Sequence, residues 1–311
     1  MIQDIAPHRY DNAYHPTQPK DGDRVFFYQD GSTLLSRESG LPFTWEEANA
    51  CADLSALPCT YFFSIDDIAF HWCHVVPSAI LDAAVPAKNG QFRDMQPGWL
   101  AFACITASQL YDWYHNHQFC GRCGAPAQQD AVERAMRCPA CGGLVYPTIS
   151  PAVIVAVTHG DRLLLTKYSQ TARPGTVRNY ALIAGFAEIG EPLEGTVRRE
   201  VMEEVGLPVK NIRFYKSQPW SFSSSLLSGF YCDLDTEDET VTLQEDELGE
   251  GTWFDRSELP EGGSSISLTH EMIERFRQES GAHLTIMEGG EHWFHTETQL
   301  AVLQAWEGAH L

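Results

Sequence analysis

Three glutamates lie close together in a segment of the chain that otherwise has the spacing of a buried helix. The apolar residues of this segment recur every four positions after Pro192 and predict one buried stripe, formed by Leu193, Val197, Val201 and Val205. On the same helical wheel Glu200 and Glu204 fall within or at the edge of the stripe, and Glu203 lies just beside it. Like charges at a buried face require a partner of opposite charge.

Divalent cations are the partners that best satisfy such a group of carboxylates. Arg199 is placed to pair with Glu203 four residues later, but one arginine cannot neutralise three acids. Mg²⁺ and Mn²⁺ prefer oxygen ligands and carry two charges. The pattern therefore favours a magnesium or manganese site, with a solvated acidic face on a surface helix as the alternative.

Four cysteines form a second constellation, arranged as two CxxC pairs. Cys120 and Cys123 are followed, after 14 intervening residues, by Cys138 and Cys141. Thiolates that stand two residues apart lie on a tight turn, and two such turns supply four ligands for tetrahedral zinc. Because four thiolates leave no open position on the metal, the expected role of Zn²⁺ here is structural.

The composition is that of an acidic globular protein. Hydrophobic residues make up 43% and charged residues 20% of the 311 positions, which excludes wholesale disorder. No apolar run reaches the roughly 18 residues that a membrane span needs. The net charge of −21 repels phosphate backbones, so extended nucleic-acid binding is disfavoured, while one local contact site stays compatible with it.

The ends of the chain and the other cysteines indicate a reducing compartment. The first residues show no basic segment followed by an apolar core, so we expect no signal peptide and a cytoplasmic protein. The remaining cysteines are expected to be reduced core residues; they are Cys51, Cys59, Cys73, Cys104 and Cys232. The last three residues, Ala309-His310-Leu311, fit a degenerate peroxisomal address as a weaker alternative.

Local patterns predict a mixed α/β region before the CxxC pairs and a second α/β region after them. In the first region we expect strands at 25–28, 33–35, 59–63 and 69–76 and a helix at 101–118, without a catalytic constellation. In the second we expect strands at 152–157, 162–167, 180–183, 227–234 and 239–244, and helices between Pro192 and Gly206 and at 267–279. Loops are expected at 170–178 and 185–191, and residues 281–311 carry no assignable pattern.

The second region resembles the Nudix hydrolases through one long motif. Residues 185–207 match Gly-x5-Glu-x7-Arg-Glu-U-x-Glu-Glu-x-Gly-U, where U is aliphatic, at every defined position. The resemblance implies an α/β/α sandwich with a mixed sheet, which hydrolyses a nucleoside diphosphate linked to another group. It also implies the metal-holding and catalytic residues, which are Glu200, Glu203, Glu204 and, as the residue that orients them, Arg199.

A second motif resembles one branch of this family. Residues 217–225 read Ser-Gln-Pro-Trp-Ser-Phe-Ser-Ser-Ser and are similar to the SQPWPFPxS signature of the NADH pyrophosphatases, members of which also remove NAD caps from RNA. The order of parts agrees with that branch. Two signature prolines are serines here, Ser221 and Ser223, and the usual arginine after Tyr146-Pro147 is Thr148.

The resemblance also assigns a substrate site and two further metal contacts. The dinucleotide site is lined by Gln218, Pro219, Trp220, Ser221, Phe222, Ser223, Ser224 and Ser225. Tyr146 and Phe186 match aromatic residues that stack on a base, for which a planar ring is a suitable partner. Glu247 matches a further acid that reaches the metal, and Ala184 matches a residue whose carbonyl binds it. Core roles for the aromatics and a surface role for Glu247 are the alternatives.

By the same resemblance, the chain has four parts and one expected activity. The parts are an N-terminal mixed α/β domain at 1–115, a zinc ribbon at 116–145, a Nudix domain at 146–280 and a tail at 281–311. The expected activity is metal-dependent hydrolysis of the NAD(H) pyrophosphate bond to AMP and NMN(H), with the 5′ end of NAD-capped RNA as a further substrate. The alternatives are a pyrophosphatase for ADP-ribose or dinucleoside polyphosphates and a non-catalytic nucleotide sensor. A homodimer without a membrane partner is implied.

Overall fold

The computed structural model describes residues 1–169, 179–244 and 246–278. The loop expected at 170–178, the tail at 281–311 and the Ala309–Leu311 address lie outside these residues. None of the helices in the described ranges combines the length and the hydropathy that crossing a bilayer requires.

The first half of the chain is built on one mixed sheet. Its strands are β1 (Tyr10–Asp11), β2 (Arg24–Gln29), β3 (Ser32–Ser36), β4 (Phe43–Thr44), β5 (Cys59–Ile65), β6 (Ile68–Cys73) and β7 (Ala84–Ala87), and its helices are α1 (Trp45–Cys51), α2 (Ser78–Ala83) and α3 (Gly98–Asn116). The strand order is β1-β5-β6-β2-β3-β7, and β4 also pairs with β2. The predicted hairpin is confirmed as β2 and β3, and the predicted long helix as α3.

Aromatic side chains form the core between α3 and this sheet. Phe26, Phe62 and Phe70 are fully buried together with Leu100 and Ala103 of the helix. Phe92, from the 3₁₀ turn Asn89–Arg93 that precedes α3, is also fully buried in this cluster. Burial of side chains this large is the main source of stability in such a layer, at about 25 cal/mol for each Å² of apolar surface removed from water.

Two of the five cysteines that were expected to be reduced are joined to each other. Cys59 and Cys73 form a disulfide between β5 and β6, where they are directly opposed register partners. The prediction is therefore wrong for this pair, because the antiparallel register brings residues 14 positions apart in sequence face to face. Cys104 and Cys232 are buried thiols as expected, whereas Cys51 is exposed.

The second half forms a small sheet and a larger one. The small sheet contains β8 (Gln128–Gln129), β9 (Met136–Arg137) and β10 (Leu144–Val145); the larger contains β11 (Ser150–His159), β12 (Arg162–Tyr168), β13 (Ile183–Phe186), β14 (Val209–Trp220), β15 (Ser225–Leu234) and β16 (Leu248–Asp255). The order of the larger sheet is β14-β15-β11-β12-β16, and β13 pairs with β11. Since β11 runs parallel to β15 and antiparallel to β12 and β13, the sheet is mixed as predicted.

Helices α4 (Leu193–Val205) and α5 (Leu268–Gln278) cover opposite faces of the larger sheet. Alternate residues of β11 separate the two cores: Val153, Val155 and Val157 pack with α4, whereas Ile154 and Ala156 pack with α5. A strand that is apolar on both faces is the expected centre of such a sandwich. The predicted α/β/α arrangement is thereby confirmed.

Two strand predictions in this half differ from the structure, and one strand was missed. The strand expected at 180–183 begins only at Ile183. Residues 239–244 form no strand; the Thr242 amide donates to the Val205 carbonyl and the Gln244 amide donates to the Glu204 carbonyl. The segment thus satisfies carbonyls that the last turn of a helix leaves free. The 12-residue strand β14 was not predicted, because half of its side chains are exposed and they do not alternate.

Candidate metal-dependent active site

Helix α4 carries the glutamates and has the limits that the sequence predicts. Pro192 is its N-cap residue, and the Gly206 amide donates to the Met202 carbonyl at the other end. Val197, Val201 and Val205 are fully buried on the sheet, while Leu193 is partly buried. This face fixes the rotation of the helix and so decides which acids approach the sheet.

Arg199 links three glutamates of the motif. Its Nε and Nη2 donate to Oε1 and Oε2 of Glu191, both at 2.9 Å. Its Nη1 donates to Glu200 Oε1 at 2.8 Å and to Glu203 Oε2 at 2.9 Å. Nη2 also donates to the Phe186 carbonyl at 2.9 Å, which connects the helix to the end of β13. The bond to Arg199 is the main reason that the pKa of Glu191 falls to about 2.

Glu204 points into the protein beside other acids. It is only 3% exposed, and its burial raises its pKa to about 8, with further increases from the nearby charges of Glu247 and Glu200. A hydrogen bond from the Ala184 backbone acts in the opposite direction. Ionisation of a buried carboxyl group is unfavourable when two other carboxylates lie nearby, unless a cation binds beside it.

Glu247 reaches this site through the segment between β15 and β16. The backbone bonds of residues 242–244 to the end of the helix lead the chain back toward Glu204. The charge of Glu247 raises the pKa of both Glu200 and Glu204, so it is an electrostatic neighbour of both. The structure therefore brings Glu247 to the motif, although it lies more than 40 residues further along the chain.

Gly185 gives Glu200 the space it occupies. A Cβ atom on this glycine would lie 1.9 Å from Cδ of Glu200, far closer than two non-bonded atoms can approach. Gly185 is the register partner of Val153 on β11, so its missing side chain faces α4. The close approach explains why a glycine stands at the first position of the motif.

The donor set fits a hard divalent cation, although the acids are not drawn tightly together. Glu204 is buried, the Glu200 side chain is 13% exposed and the Glu203 side chain is 52% exposed. Within the described ranges, the one group of three or more ligand atoms that lie within 4.8 Å of one another is the cysteine cluster, and the glutamates do not reach that density. The glutamates carry more negative charge than the single arginine among them can neutralise. A divalent cation would balance this excess.

The four predicted zinc ligands converge in the ribbon. Sγ of Cys120 lies 3.6 Å from Sγ of Cys141, and Sγ of Cys123 lies 3.6 Å from Sγ of Cys138. Tetrahedral zinc with Zn–S bonds of about 2.3 Å places its sulfurs about 3.8 Å apart. The amides of Gly124 and Gly142, both with positive φ, close two equivalent turns by donating to the carbonyls of the cysteines four residues earlier. The cluster fits a structural zinc ion.

The substrate residues expected from the family resemblance lie partly at the surface and partly in the interior. Phe186 and Tyr146 are exposed by 53% and 52%, and the Tyr146 hydroxyl donates to Glu133. Trp220 and Phe222 are partly buried, with ring centroids 4.7 Å apart. Ser221–Ser223 form a 3₁₀ turn, and the Ser223 and Ser225 hydroxyls are 2.9 Å apart. Pro219 is exposed, and Ser224 is partly exposed at a left-handed backbone position.

Gln218 and Ser225 are the buried residues of this group, and Gln218 makes the more extensive contacts. It is fully buried, and its Nε2 donates to Gln3 Oε1 at 3.0 Å and to the Ile266 carbonyl at 2.8 Å. Its Oε1 accepts from the Leu268 amide at 2.7 Å. The side chain thus joins the start of the chain and the start of α5 to β14, and in this structure its amide group is occupied by protein partners.

One row of register partners crosses the sheet from Phe186 on β13 to Gln218 on β14. Phe186 is opposite Ala152, Ala152 is opposite Leu227, and Leu227 is opposite Gln218. Successive strands lie about 4.8 Å apart, so β13 and β14 are separated by about 14 Å along this row. Phe186 and Gln218 therefore lie on opposite sides of the two central strands β11 and β15.

Two contributors to this site were missed by reasoning from residue types. Glu191 was a motif position without a role, and its paired bonds to Arg199 now give it one. Arg93 was not singled out, yet its guanidinium lies 5.0 Å from the Trp220 ring centroid and 4.4 Å from that of Phe222. No local pattern around Arg93 signals a contact more than 120 residues away.

Comparisons with known proteins match two parts of this chain to described families. The family description "NUDIX domain" matches residues 148–274, and "NADH pyrophosphatase zinc ribbon domain" matches residues 115–146. A Chromobacterium violaceum protein named "NAD-capped RNA hydrolase NudC" is 40% identical over 195 residues, which are 61% of this chain and 71% of that protein. A Pseudomonas aeruginosa protein of the same name is 39% identical over 184 residues, which are 59% of this chain and 64% of that protein.

Among solved structures, a NUDIX hydrolase from Nitrosomonas europaea is 24% identical and covers 51% of this chain and 90% of its own, with a TM-score of 0.44. From the domain match and the two relatives, the chain belongs to the Nudix hydrolase family. The ribbon that precedes its Nudix domain is of the type described for NADH pyrophosphatases.

Proposed function

We propose that this protein hydrolyses the pyrophosphate bond of NAD(H) in a reaction that depends on a divalent cation and releases AMP and NMN(H). NAD-capped RNA is a further substrate in this proposal. The observation that carries it is the buried Glu204 beside Glu200 and Glu247, next to an arginine that already engages the other acids of the motif. The names of the relatives from two bacteria support the choice of substrate.

The proposal gives each residue of the site a task. Magnesium or manganese would be held by the carboxylates of Glu200, Glu203, Glu204 and Glu247 and by the Ala184 carbonyl. When bound, such a cation neutralises phosphate oxygens and lowers the pKa of a water molecule. Arg199 keeps Glu200 and Glu203 turned toward the site, while Glu191 fixes the guanidinium. Glu203 or Glu204 accepts the proton of the attacking water.

The aromatic residues serve recognition of the dinucleotide. Phe186 and Tyr146 offer exposed rings, and each base that stacks on such a ring gains about 1–3 kcal/mol. Trp220 and Phe222 form a second aromatic pair at the turn between β14 and β15. The net charge of −21 limits the affinity for the RNA body, so recognition is expected to concentrate on the cap.

Direct chromatography of the products tests this function. Purified protein with Mg²⁺ or Mn²⁺ should convert NADH to AMP and NMNH, and a chelator should stop the reaction. Glu203→Gln should lose activity while it retains nucleotide affinity, which separates an enzyme from a nucleotide sensor. ADP-ribose, a dinucleoside tetraphosphate and NAD-capped RNA serve as competing substrates. Intact NADH after hours with either metal, or a clearly higher kcat/KM for ADP-ribose, would refute the proposal.

The assembly and the location belong to the same proposal. A homodimer is supported by exposed apolar residues near the starts of β11 and β15, where Ile149 is 60% and Leu226 is 41% exposed. Light scattering of the purified protein should give twice the chain mass, and a monomer at micromolar concentration would contradict it. We place the protein in the cytoplasm, which cell fractionation with a specific antibody would check.

A further inference from the structure

Glu250 lies at the centre of a polar cluster on the face of the larger sheet that α5 covers. Its Oε2 accepts from Lys167 Nζ at 2.9 Å, and its Oε1 accepts from the Tyr180 hydroxyl. Oε1 also accepts from the Thr252 hydroxyl at 3.4 Å. Lys167 Nζ lies 3.8 Å from the centroid of the Tyr180 ring, and that ring packs edge-on against Phe254 at the border of the core beneath α5. Glu250, Lys167 and Tyr180 thus hold one another in place and form what we call the Glu250 cluster.

The Glu250 cluster joins three segments of the chain at one point. Lys167 on β12 is the register partner of Glu250 on β16. Thr166 and Ala181 exchange two backbone hydrogen bonds, of 2.9 and 2.8 Å. In an antiparallel pair the next residues along are then opposed, and these are Lys167 and Tyr180. The cluster therefore ties β12, β16 and the chain that enters β13 to one another.

Two of these segments carry the expected metal contacts that are not on α4. Glu247 lies three residues before Glu250, and Ala184 lies four residues after Tyr180. The Glu247 backbone is also held from the end of β12, because its carbonyl accepts from the Ser169 amide at 2.8 Å. A shift of β16 against β12 would therefore move Glu247 relative to Ala184.

We infer that Glu250 is a positioning residue for the metal site, acting through the backbone that carries Glu247. The inference rests on the proposed function, since it takes Glu247 as a ligand of the catalytic cation. The ion pair with Lys167 would contribute little by itself, because the Glu250 side chain is 42% exposed, so the ring and the hydroxyl of Tyr180 are needed as well. Removal of a group that orients a metal ligand commonly weakens metal binding about 10- to 100-fold, and an indirect link through the backbone should give the lower end of this range.

Binding of Mn²⁺ tests this role independently of the reaction. Electron paramagnetic resonance of free Mn²⁺ gives the Kd of protein that has been depleted of Mg²⁺ and Mn²⁺ but retains its zinc. Glu250→Ala should raise this Kd about tenfold, and should raise the Mn²⁺ concentration for half-maximal activity on NADH by a similar factor. Glu250→Gln, whose amide oxygen can still accept from Tyr180, should recover part of the loss. Asp235→Ala is the matched control and should leave Kd unchanged, since Asp235 pairs with Lys210 at 2.9 Å at the other edge of the same sheet.

A double variant separates positioning from a general loosening of the sheet. Glu247→Gln removes the charge of the ligand that Glu250 is inferred to place. In that background Glu250→Ala should change the Mn²⁺ Kd by less than about twofold. Full additivity of the two changes, or a Kd in Glu250→Ala equal to that of the parent, would overturn the inference. Tyr180→Phe keeps the ring but loses the hydroxyl bond, and it provides the same comparison if Glu250→Ala does not fold.

Failure of this inference is distinguishable from failure of the proposed function. If the parent protein hydrolyses NADH and Glu250→Ala binds Mn²⁺ as tightly as the parent does, only the inference falls. If the parent binds Mn²⁺ but leaves NADH intact, the function falls, and the comparison of Kd values still decides the inference. A parent protein that binds no Mn²⁺ would overturn the inference.

Discussion

The carboxylate of Glu200 occupies the volume that any side chain at position 185 would need. The distance of 1.9 Å from a Cβ on Gly185 to Cδ of Glu200 leaves no room even for a methyl group. One residue of the strand thus decides where one acid of the helix lies. The site depends on the packing of β13 against α4 as much as on the acids themselves.

Gly185→Ala should disable the site without unfolding the protein. The added methyl must displace Glu200 or push α4 from the sheet, and overpacking of this kind costs about 1–3 kcal/mol. We expect metal-dependent activity on NADH to fall at least about tenfold. Gly98→Ala is the matched control, since nothing lies within 4 Å of its Cβ at the start of α3. Parent-like activity of Gly185→Ala would show that Glu200 is free to move.

Arg199→Lys should lose most of the activity although it keeps the charge. A lysine cannot reproduce the paired bonds to Glu191 together with those to Glu200 and Glu203. We expect kcat/KM for NADH to fall about a hundredfold, mainly through kcat. Arg198→Lys, whose parent side chain is exposed and donates to the Glu194 carbonyl, should behave like the parent. Equal losses in the two variants would argue against a specific role for Arg199.

The stability of the metal-free protein should fall as the pH rises. The pKa of Glu204 is raised from 4.5 to about 8, so between these values the folded state binds more protons than the unfolded state. The free energy of unfolding therefore decreases with pH across this interval. Saturating Mg²⁺ should stabilise the protein more at about pH 8 than at about pH 5.5, because it favours the ionised carboxylates.

Melting curves at the two pH values, with and without Mg²⁺, measure this linkage. Glu204→Gln carries no titrating group at this position and should show a flatter pH dependence and a smaller response to Mg²⁺. If Glu204→Gln responds to pH and metal as the parent does, the acid that governs the linkage lies elsewhere.

Zinc removal should damage the ribbon before it affects the glutamate site. Cys138 is buried within the four-thiol cluster. The parent is expected to bind about one zinc ion per chain, and Cys138→Ser should lose this metal and have a lower melting temperature. Cys51→Ser, at an exposed thiol outside the cluster, is the control. Elemental analysis gives the zinc content directly. A parent protein without zinc would refute the assignment.

Local patterns predicted the parts of the structure that are themselves local. The four-residue apolar repeat of α4 fixed its buried face, since Val197, Val201 and Val205 are all fully buried on the sheet. The CxxC spacing likewise sufficed for the ribbon, because two thiols on one turn need no distant partner to lie close together. The continuous apolar run of β11 indicated the central strand for the same reason.

Local sequence patterns did not predict the features that depend on tertiary contacts. Strand β14 is half exposed without alternation, so periodicity carries no signal for it. Residues 239–244 have the composition of a strand, yet their amides bind the end of α4. The opposition of Cys59 and Cys73, the approach of Glu247 to Glu204 and the contact of Arg93 with Phe222 all join distant positions.

The buried amide of Gln218 ties the segment around Gln3 into the packed interior of the molecule. Its Nε2 is shared by Gln3 and the Ile266 carbonyl, and the Ile2 amide donates to that same carbonyl. Loss of the Gln3 side chain would leave one N–H of the buried Gln218 amide without its partner, while the bonds of that amide to Ile266 and Leu268 remain. The segment around Gln3 therefore helps to fix the junction of β14 and α5.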